Sequence, residues 1–321
     1  RVRLCRCSAG LDGRQVSDLR TFSAKKRRTA SGLLMVLPLL LLYGTVVVYP
    51  LLNMVYTSFF SWSGIAGVEL QFAGLSNYIK FWTAPETRTA FLNIGILALT
   101  GLFATLPISF FLATVINRRF FGLRIVKTMY FLPVVINRMA ICLMFTFLLL
   151  PGAGPIPSIL EKLGLAEHLN LLGNVNTAMW TVAFVNMWSN VGFQMILFSS
   201  GMASIPEELY EAAALDGVTP WQRLRYITLP QLRPTLSIVI IFILTGTFKV
   251  FDFVIGLTGG GPAYATEVPI TLLYKQAFTY GKFGYANAIS VMMVLLCLLI
   301  ALLVNHIFAE HELPGRRKHL P

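Results

Sequence analysis

The sequence has few charged residues. Asp, Glu, Lys and Arg make up only 12% of its 321 residues, whereas hydrophobic residues make up 56% and the mean hydropathy is +0.70. Soluble proteins carry about twice that charged share. So few charges could not cover the surface of a water-soluble protein of this size. For the bulk of the chain, the composition therefore excludes a soluble enzyme, a secreted domain and a disordered tail.

Signatures of chemistry are also missing. No Gly-x-x-x-x-Gly-Lys-Ser/Thr sequence is present, and no Lys follows the glycine run Gly259 to Gly261. The four His are far apart, no Gly-x-Ser-x-Gly occurs, and the Cys5-x-Cys7 pair has no second pair to complete a metal site. We therefore predict no catalytic residue, no metal site and no cofactor in this chain, so that any ATP hydrolysis belongs to another polypeptide.

Long apolar runs are plentiful. A run of about 20 residues crosses the hydrocarbon core of a bilayer as a helix, which satisfies its own backbone hydrogen bonds. Six runs reach that length: Gly32 to about Phe60, Ala90 to Ile116, Met129 to Leu150, Thr177 to Ser200, Thr235 to Leu257, and Tyr285 to Phe308. The sequence predicts an all-α polytopic membrane protein with six transmembrane helices.

The distribution of basic residues predicts the orientation. Of the 26 Lys and Arg, 19 lie on one side of the predicted spans and five on the other, and basic residues collect in cytoplasmic loops. Both termini are therefore expected in the cytoplasm, as basic tails at 1–31 and 310–321 around a membrane domain at 32–309. The net charge of +12 is explained by the bilayer, so nucleic acid is not an expected partner.

The cytoplasmic connection between the fourth and fifth spans, residues 202–234, carries helix signals. Ser204 with Glu207, and Thr219 with Gln222, both fit the capping box, each with a proline in the first turn. A glycine between the two signals, at position 217, can take the positive φ that ends a helix. The connection is predicted to be a helix, a turn and a second helix, and we interpret it as a docking surface for a soluble partner.

The same connection resembles a known motif. Glu211-Ala212-Ala213, then Asp216-Gly217 and Ile227-x-Leu229-Pro230, are similar to the EAA loop of binding-protein-dependent ABC importer permeases. In that family the loop forms a coupling helix that sits in a cleft of a cytoplasmic ATPase. The residues expected to couple this chain to such an ATPase are Glu207, Glu208, Glu211, Ala212, Ala213, Asp216, Gly217, Leu229 and Pro230.

Two further stretches resemble the carbohydrate permeases of the maltose-transporter type. They are Leu257-Thr258-Gly-Gly-Gly-Pro262 and Gly74-Leu75-Ser-Asn77-Tyr78. The resemblance implies a prokaryotic cytoplasmic membrane, a second homologous permease, two cytoplasmic ATPase subunits that hold ATP and Mg, an extracytoplasmic solute-binding protein and a sugar. The large external domain of the maltose permease is absent, so contacts to the solute-binding protein are expected from short loops.

Polar residues inside the spans are candidates for the substrate pathway, because such residues are costly in lipid. Asn186, Asn190 and Gln194 follow one another at i, i+4 and i+8 on the fourth span. The maltose-type resemblance adds Trp188, Phe193 and Thr247. Arg138, deep in the third span, completes the set.

Other interpretations of these polar residues remain open. Asn and Gln side chains often bridge neighbouring helices, and Arg138 could equally tie two helices or two subunits together. Lys249 and Asp252 are expected to neutralise one another at i, i+3. The same architecture could import a glycerol phosphate ester. A secondary carrier or a membrane scaffold would be the alternatives outside this class.

Overall fold

The computed structural model describes residues 36–65, 67–117, 122–164 and 170–309. The two predicted basic tails and the Cys5-x-Cys7 pair lie outside the described residues. The chain divides into two compact units, Arg1–Tyr56 and Thr57–Pro321. Helix α1 (Val36–Thr57) is the described part of the first unit, except that its last residue, Thr57, is counted with the second unit. The helix contains a π-helical turn at Gly44–Val48.

The second unit is mostly helical. Its helices in chain order are α2 (Ser76–Thr83), α3 (Pro85–Ile116), α4 (Leu123–Val135), α5 (Arg138–Leu148), α6 (Pro155–Lys162), α7 (Val175–Ala203), α8 (Glu207–Leu215), α9 (Pro220–Gln231), α10 (Arg233–Thr247), α11 (Phe251–Leu257), α12 (Pro269–Tyr274) and α13 (Phe283–Ala309). The all-α prediction omitted one short antiparallel pair of two-residue strands, β1 (Phe60–Ser61) and β2 (Gln71–Phe72).

Among the described residues, four helices are long and apolar enough to cross a membrane: α1, α3, α7 and α13. Two bent pairs, α4 with α5 at 101° and α9 with α10 at 71°, raise that number to six if each pair is one span. The predicted first, second, fourth and sixth spans therefore correspond to single helices. The predicted third and fifth spans are interrupted.

The interruption of the third span has a local cause. After α4 the backbone of Ile136 is extended, and the side chain of Asn137 accepts a hydrogen bond of 2.8 Å from the backbone N–H of Met139. Asn137 is thus an N-cap that starts α5 in a new direction. The fifth span breaks between Thr247 and Phe251, where Val250 leaves the helical region.

Helix α7 lies at the centre of the second unit. It packs against α3, α4, α10 and α11, and its buried residues belong to two hydrophobic clusters. A Cβ atom at Gly192 would overlap the carbonyl oxygen of Tyr130 on α4. Glycine therefore allows the backbones of α7 and α4 to touch, as small residues do between membrane helices.

Candidate coupling loop and translocation cavity

A polar cavity of about 170 Å³ lies between α3, α5, α7, α10 and α11. We call it the inner cavity. Five of the seven predicted pathway residues line it: Arg138, Asn186, Asn190, Gln194 and Thr247. Residues up to 109 positions apart in the sequence, from Arg138 to Thr247, are thus brought to one place.

The amides of α7 form one wall of the inner cavity. Asn190 Nδ2 donates hydrogen bonds to the carbonyl oxygen of Asn186 at 2.7 Å and to Asn186 Oδ1 at 3.0 Å. Gln194 is only 6% exposed, and its Oε1 has no hydrogen-bond partner in the described structure. A buried acceptor without a donor is costly. This wall can therefore accept a hydroxyl donor.

The charged groups of the inner cavity pair differently from the prediction. Arg138 lies 3.4 Å from Asp252, measured from Nη1 to Oδ2. Lys249 also lines the cavity, but no ion pair joins it to Asp252 among the described residues. The i, i+3 prediction was wrong because the helix is broken between these two residues, so they do not share a helical face. With two cations and one carboxylate, the lining carries one excess positive charge.

Two predicted pathway residues do not line the inner cavity. Trp188 is two residues from Asn186 and so about 200° away around the helix; its ring packs edge-on against Phe145, with centroids 5.4 Å apart. Phe193 packs against Phe242, with centroids 5.7 Å apart, and it is Phe242 that faces the cavity. Of these two ring contacts, only that of Phe193 therefore reaches a residue that lines the inner cavity.

The prediction missed the contribution of α3. A π-helical turn at Gly101–Thr105 places both of its end residues on the inner cavity. A Cβ atom at Gly101 would overlap the side chain of Ile243, so α3 and α10 approach closely here. Single π-turns inside α-helices are frequent at functional sites, but hydropathy along the sequence does not reveal them.

The second candidate element is the connection predicted to couple the chain to an ATPase, residues 202–234, which we call the coupling loop. Helix α8 ends at Leu215, and the predicted positive φ follows two residues later at Gly217, where it is +67°. The N–H of Val218 donates to the carbonyl of Ala213 at 3.0 Å, and the N–H of Gly217 donates to the carbonyl of Ala214 at 3.3 Å. These two bonds form a Schellman motif, which requires a left-handed residue at this position.

One of the two predicted caps is confirmed. Thr219 and Gln222 form the capping box, with the Gln222 N–H donating to Thr219 Oγ1 at 3.3 Å and the Thr219 N–H donating to Gln222 Oε1 at 2.9 Å. The predicted box at Ser204 is wrong. Because α7 extends to Ala203, Ser204 instead donates to the carbonyl of Gly201 at 2.7 Å, and α8 begins without a side-chain cap.

Most predicted coupling residues lie on the surface of the loop. The exposed ones are Glu207, Glu208, Glu211, Ala212, Asp216, Gly217, Leu229 and Pro230. Ala213 is buried against its own chain. The surface also carries exposed apolar side chains that the prediction omitted, namely Leu215, Trp221 and Tyr226. Exposed apolar groups together with carboxylates are typical of a surface that another protein covers.

The coupling loop is fixed to the helices that line the inner cavity. Ile205 and Leu232, near its two ends, are buried in the cluster formed by α3, α7 and α10. Between them, Tyr210 of α8 shares a hydrogen bond of 3.2 Å with Thr228 of α9, and the Arg223 guanidinium lies 4.0 Å above the Tyr210 ring. The loop is therefore a folded unit joined to the membrane helices.

Apolar helices, a polar cavity between them and an exposed helical loop together define a membrane transport component. Among the described residues, no group of three or more His, Cys, Asp and Glu side chains could hold a metal ion. The family described as binding-protein-dependent transport system inner membrane component matches residues 105–309. The chain belongs to this family, whose description names an inner membrane component. The apolar helices of the described residues make it a multi-pass membrane protein.

Known proteins resemble the chain over most of its length. It is 36% identical to the probable ABC transporter permease protein YurN of Bacillus subtilis, over 82% of this chain and 90% of that protein. It is 30% identical to MsmF of Streptococcus mutans, a multiple sugar-binding transport system permease protein, over 79% and 87%. Its fold matches a crystal structure of a bacterial ABC transporter that imports the acidic polysaccharide alginate, with a TM-score of 0.78, 23% identity and coverage of 92% and 100%.

Proposed function

We propose that this chain is the permease subunit that conducts a sugar through an ATP-driven importer. The observation that carries the proposal is the inner cavity, where a ladder of amides, a threonine and an unpartnered Gln194 acceptor meet inside the membrane-spanning unit. Amides donate to and accept from hydroxyl groups. The sugar-permease relative MsmF supports the same solute class.

The topology and the partners belong to the same proposal. Counting α4 with α5 as one span and α10 with α11 as another, beside α1, α3, α7 and α13, gives six spans with both termini in the cytoplasm, which agrees with the asymmetry of Lys and Arg. The coupling loop then faces the cytoplasm. There it contacts one of two ATPase subunits, which supply ATP and Mg, while a second homologous permease closes the exposed side of the inner cavity.

The cycle follows from these contacts. A solute-binding protein delivers the sugar on the extracytoplasmic side, and closure of the ATPases moves the coupling loops. Because the loop is fixed to α7 and α10, its movement changes the inner cavity between outward and inward access. Nucleotide hydrolysis then resets the assembly.

Reconstitution tests this function. The complete assembly in proteoliposomes, with ATP inside and the solute-binding protein outside, should accumulate a radiolabelled sugar. A Gln194→Ala variant should raise the sugar concentration needed for half-maximal uptake about tenfold, the size expected for an unmade hydrogen bond. Gln194→Glu would test whether an acceptor alone suffices. The proposal would be contradicted by uptake without ATP, or by equal uptake in the unchanged assembly and in the Gln194→Ala and Gln194→Glu variants.

A second solute class has one specific observation in its favour. Arg138 and Lys249 leave the inner cavity with one excess positive charge, which suits a glycerol phosphate ester. Competition decides between the two candidates. If unlabelled glycerol phosphates suppress uptake at concentrations where neutral sugars do not, the ester is the substrate.

A further inference from the structure

A second, larger cavity of about 450 Å³ lies among different segments of the chain. We call it the outer cavity. Its walls are formed by the end of α2, the start of α3, the loop after α11 and the region that follows α12. In the proposed topology all of these segments are extracytoplasmic. None of the described residues lines both cavities, and the proposed function leaves this one without a role.

One wall of the outer cavity is fixed by buried polar contacts. Glu267 is completely buried, and its carboxylate accepts a hydrogen bond from the Lys275 ammonium. Gly260, with φ of +90°, lies so close to this pair that a Cβ atom would overlap both groups. Asn93 Nδ2 donates to the carbonyl of Ala265 at 2.9 Å and to that of Glu267 at 2.8 Å. The glycine-rich loop is therefore held in one conformation.

The charges of the outer cavity do not balance. Among the described residues, Lys275 is neutralised by Glu267, and the other charged groups of the lining are Lys80, Lys282 and one carboxylate, Glu86. Burial lowers the pKa of Lys80, the nearby Lys282 ammonium lowers it further, and Glu86 raises it. Each ammonium also lies near a tyrosine ring, 4.3 Å from the Tyr285 centroid for Lys80 and 5.9 Å from the Tyr280 centroid for Lys282. Because both lysines line one cavity, their like charges repel each other there. An additional anion between them would relieve that repulsion.

The rim of the outer cavity suits a protein partner. Tyr264 and Tyr280 are half exposed there, and Tyr264 is held at φ of +63° by the fixed loop. Tyrosine is enriched where protein interfaces gain most of their binding energy. Gln276, only 6% exposed, lines the same cavity, and its Oε1 has no hydrogen-bond partner in the described structure.

We propose that the outer cavity receives an acidic side chain of the solute-binding protein, with its carboxylate between Lys80 and Lys282. The inference rests on the proposed function, which places this surface outside the membrane and supplies the partner. A cavity of this volume accommodates a whole side chain, and the excess charge selects an acidic one. Such charge pairs set the rate and the specificity of protein association.

The test measures ATPase activity of the complete assembly in nanodiscs as its solute-binding protein is titrated, at low and at moderate salt. The double variant Lys80→Gln with Lys282→Gln should raise the concentration of binding protein for half-maximal stimulation about tenfold at low salt. Activity at saturating binding protein should not change. Replacing both residues by Arg should preserve most of the affinity, because the charges remain.

Lys162 provides the matched control. It ends α6 on the same proposed side, is exposed, and does not line the outer cavity. Lys162→Gln should leave the titration unchanged. An equal loss of affinity in this variant, or no loss in the double variant, would overturn the proposal.

Two other outcomes are distinguishable. In the first, free glucuronate binds the assembly without the solute-binding protein, and the double variant abolishes that binding. This result would make the outer cavity a solute site, and the docking proposal would be wrong. If the unchanged assembly showed no stimulation by any solute-binding protein, the proposed function would fail and this inference with it.

Discussion

Gly217 offers the sharpest perturbation of the coupling loop. Its φ of +67° closes α8, and a Cβ atom there would meet nothing within 4 Å. The effect of a side chain is therefore conformational and does not arise from a clash. An L-residue in the left-handed region costs about 1–2 kcal/mol, which is a factor of roughly 5 to 30 in the equilibrium between the native cap and any other end of the helix.

We expect a graded response at this position. Asn tolerates the left-handed region and should retain most uptake, Gly217→Ala should lose up to about tenfold, and Gly217→Val should lose more because a β-branched residue is penalised most there. The assay is sugar uptake together with ATP hydrolysis in proteoliposomes, normalised to the amount of inserted protein. The ratio of ATP hydrolysed to sugar imported should rise in the same order.

Gly95 is the control, since it is also a glycine with open space around its Cβ position but lies within the helical region of α3. Gly95→Ala should be neutral or slightly stabilising. The reasoning would be refuted if Gly217→Val coupled ATP to uptake as well as the unchanged protein does. A loss in Gly95→Ala equal to that in Gly217→Ala would also refute it.

Three further predictions concern contacts that only the structure reveals. Arg138→Asp and Asp252→Arg should each lower uptake about tenfold by setting two like charges opposite each other, and the double exchange should restore part of it. Strictly additive losses in a double-mutant cycle would contradict the pairing. Tyr210→Phe should lower the free energy of unfolding by about 1 kcal/mol. Because Thr228 Oγ1 also donates to the Arg223 carbonyl at 3.4 Å, Thr228→Val should lower it further, but by less when Tyr210 is already Phe; equal losses from Thr228→Val with Tyr210 and with Phe at position 210 would mean that the two hydroxyls act separately. Gly192→Ala should reduce the yield of folded protein because α4 must move away from α7; a normal yield and melting temperature would show that the backbones do not touch.

The sequence predicts those features of the fold that follow from a continuous hydrophobic pattern, and it does not predict those that depend on a single side-chain contact. The fourth span was predicted at Thr177 to Ser200 and is α7, Val175–Ala203, because hydropathy reports a continuous apolar helix directly. The third span was predicted as one helix because hydropathy does not detect that Asn137 caps a new helix within an apolar run. The break depends on one hydrogen bond, from the backbone N–H of Met139 to the side chain of Asn137.

The candidate site shows the same division. Asn186, Asn190 and Gln194 are spaced four residues apart, so helix geometry alone places them on one face, and the structure brings them to the inner cavity. The Arg138 to Asp252 pair joins positions 114 residues apart, so nothing in the local sequence indicates it. The i, i+3 spacing instead predicted an ion pair between Lys249 and Asp252.

The physical connection between the coupling loop and the inner cavity lies in two helices. Gln194 and Ala203 belong to the same uninterrupted helix, α7, and are about 14 Å apart along its axis. On the return, α10 runs from the end of the loop to Thr247 at the cavity. Met202 and Leu232, at the two ends of the loop, are buried in one cluster with Phe198. Because close-packed side chains transmit displacement with little compression, a movement of the loop must shift the amide wall and Thr247 together. A loop attached through flexible segments would absorb that movement. In the proposed cycle, the buried ends of the loop are therefore as necessary to coupling as its exposed surface.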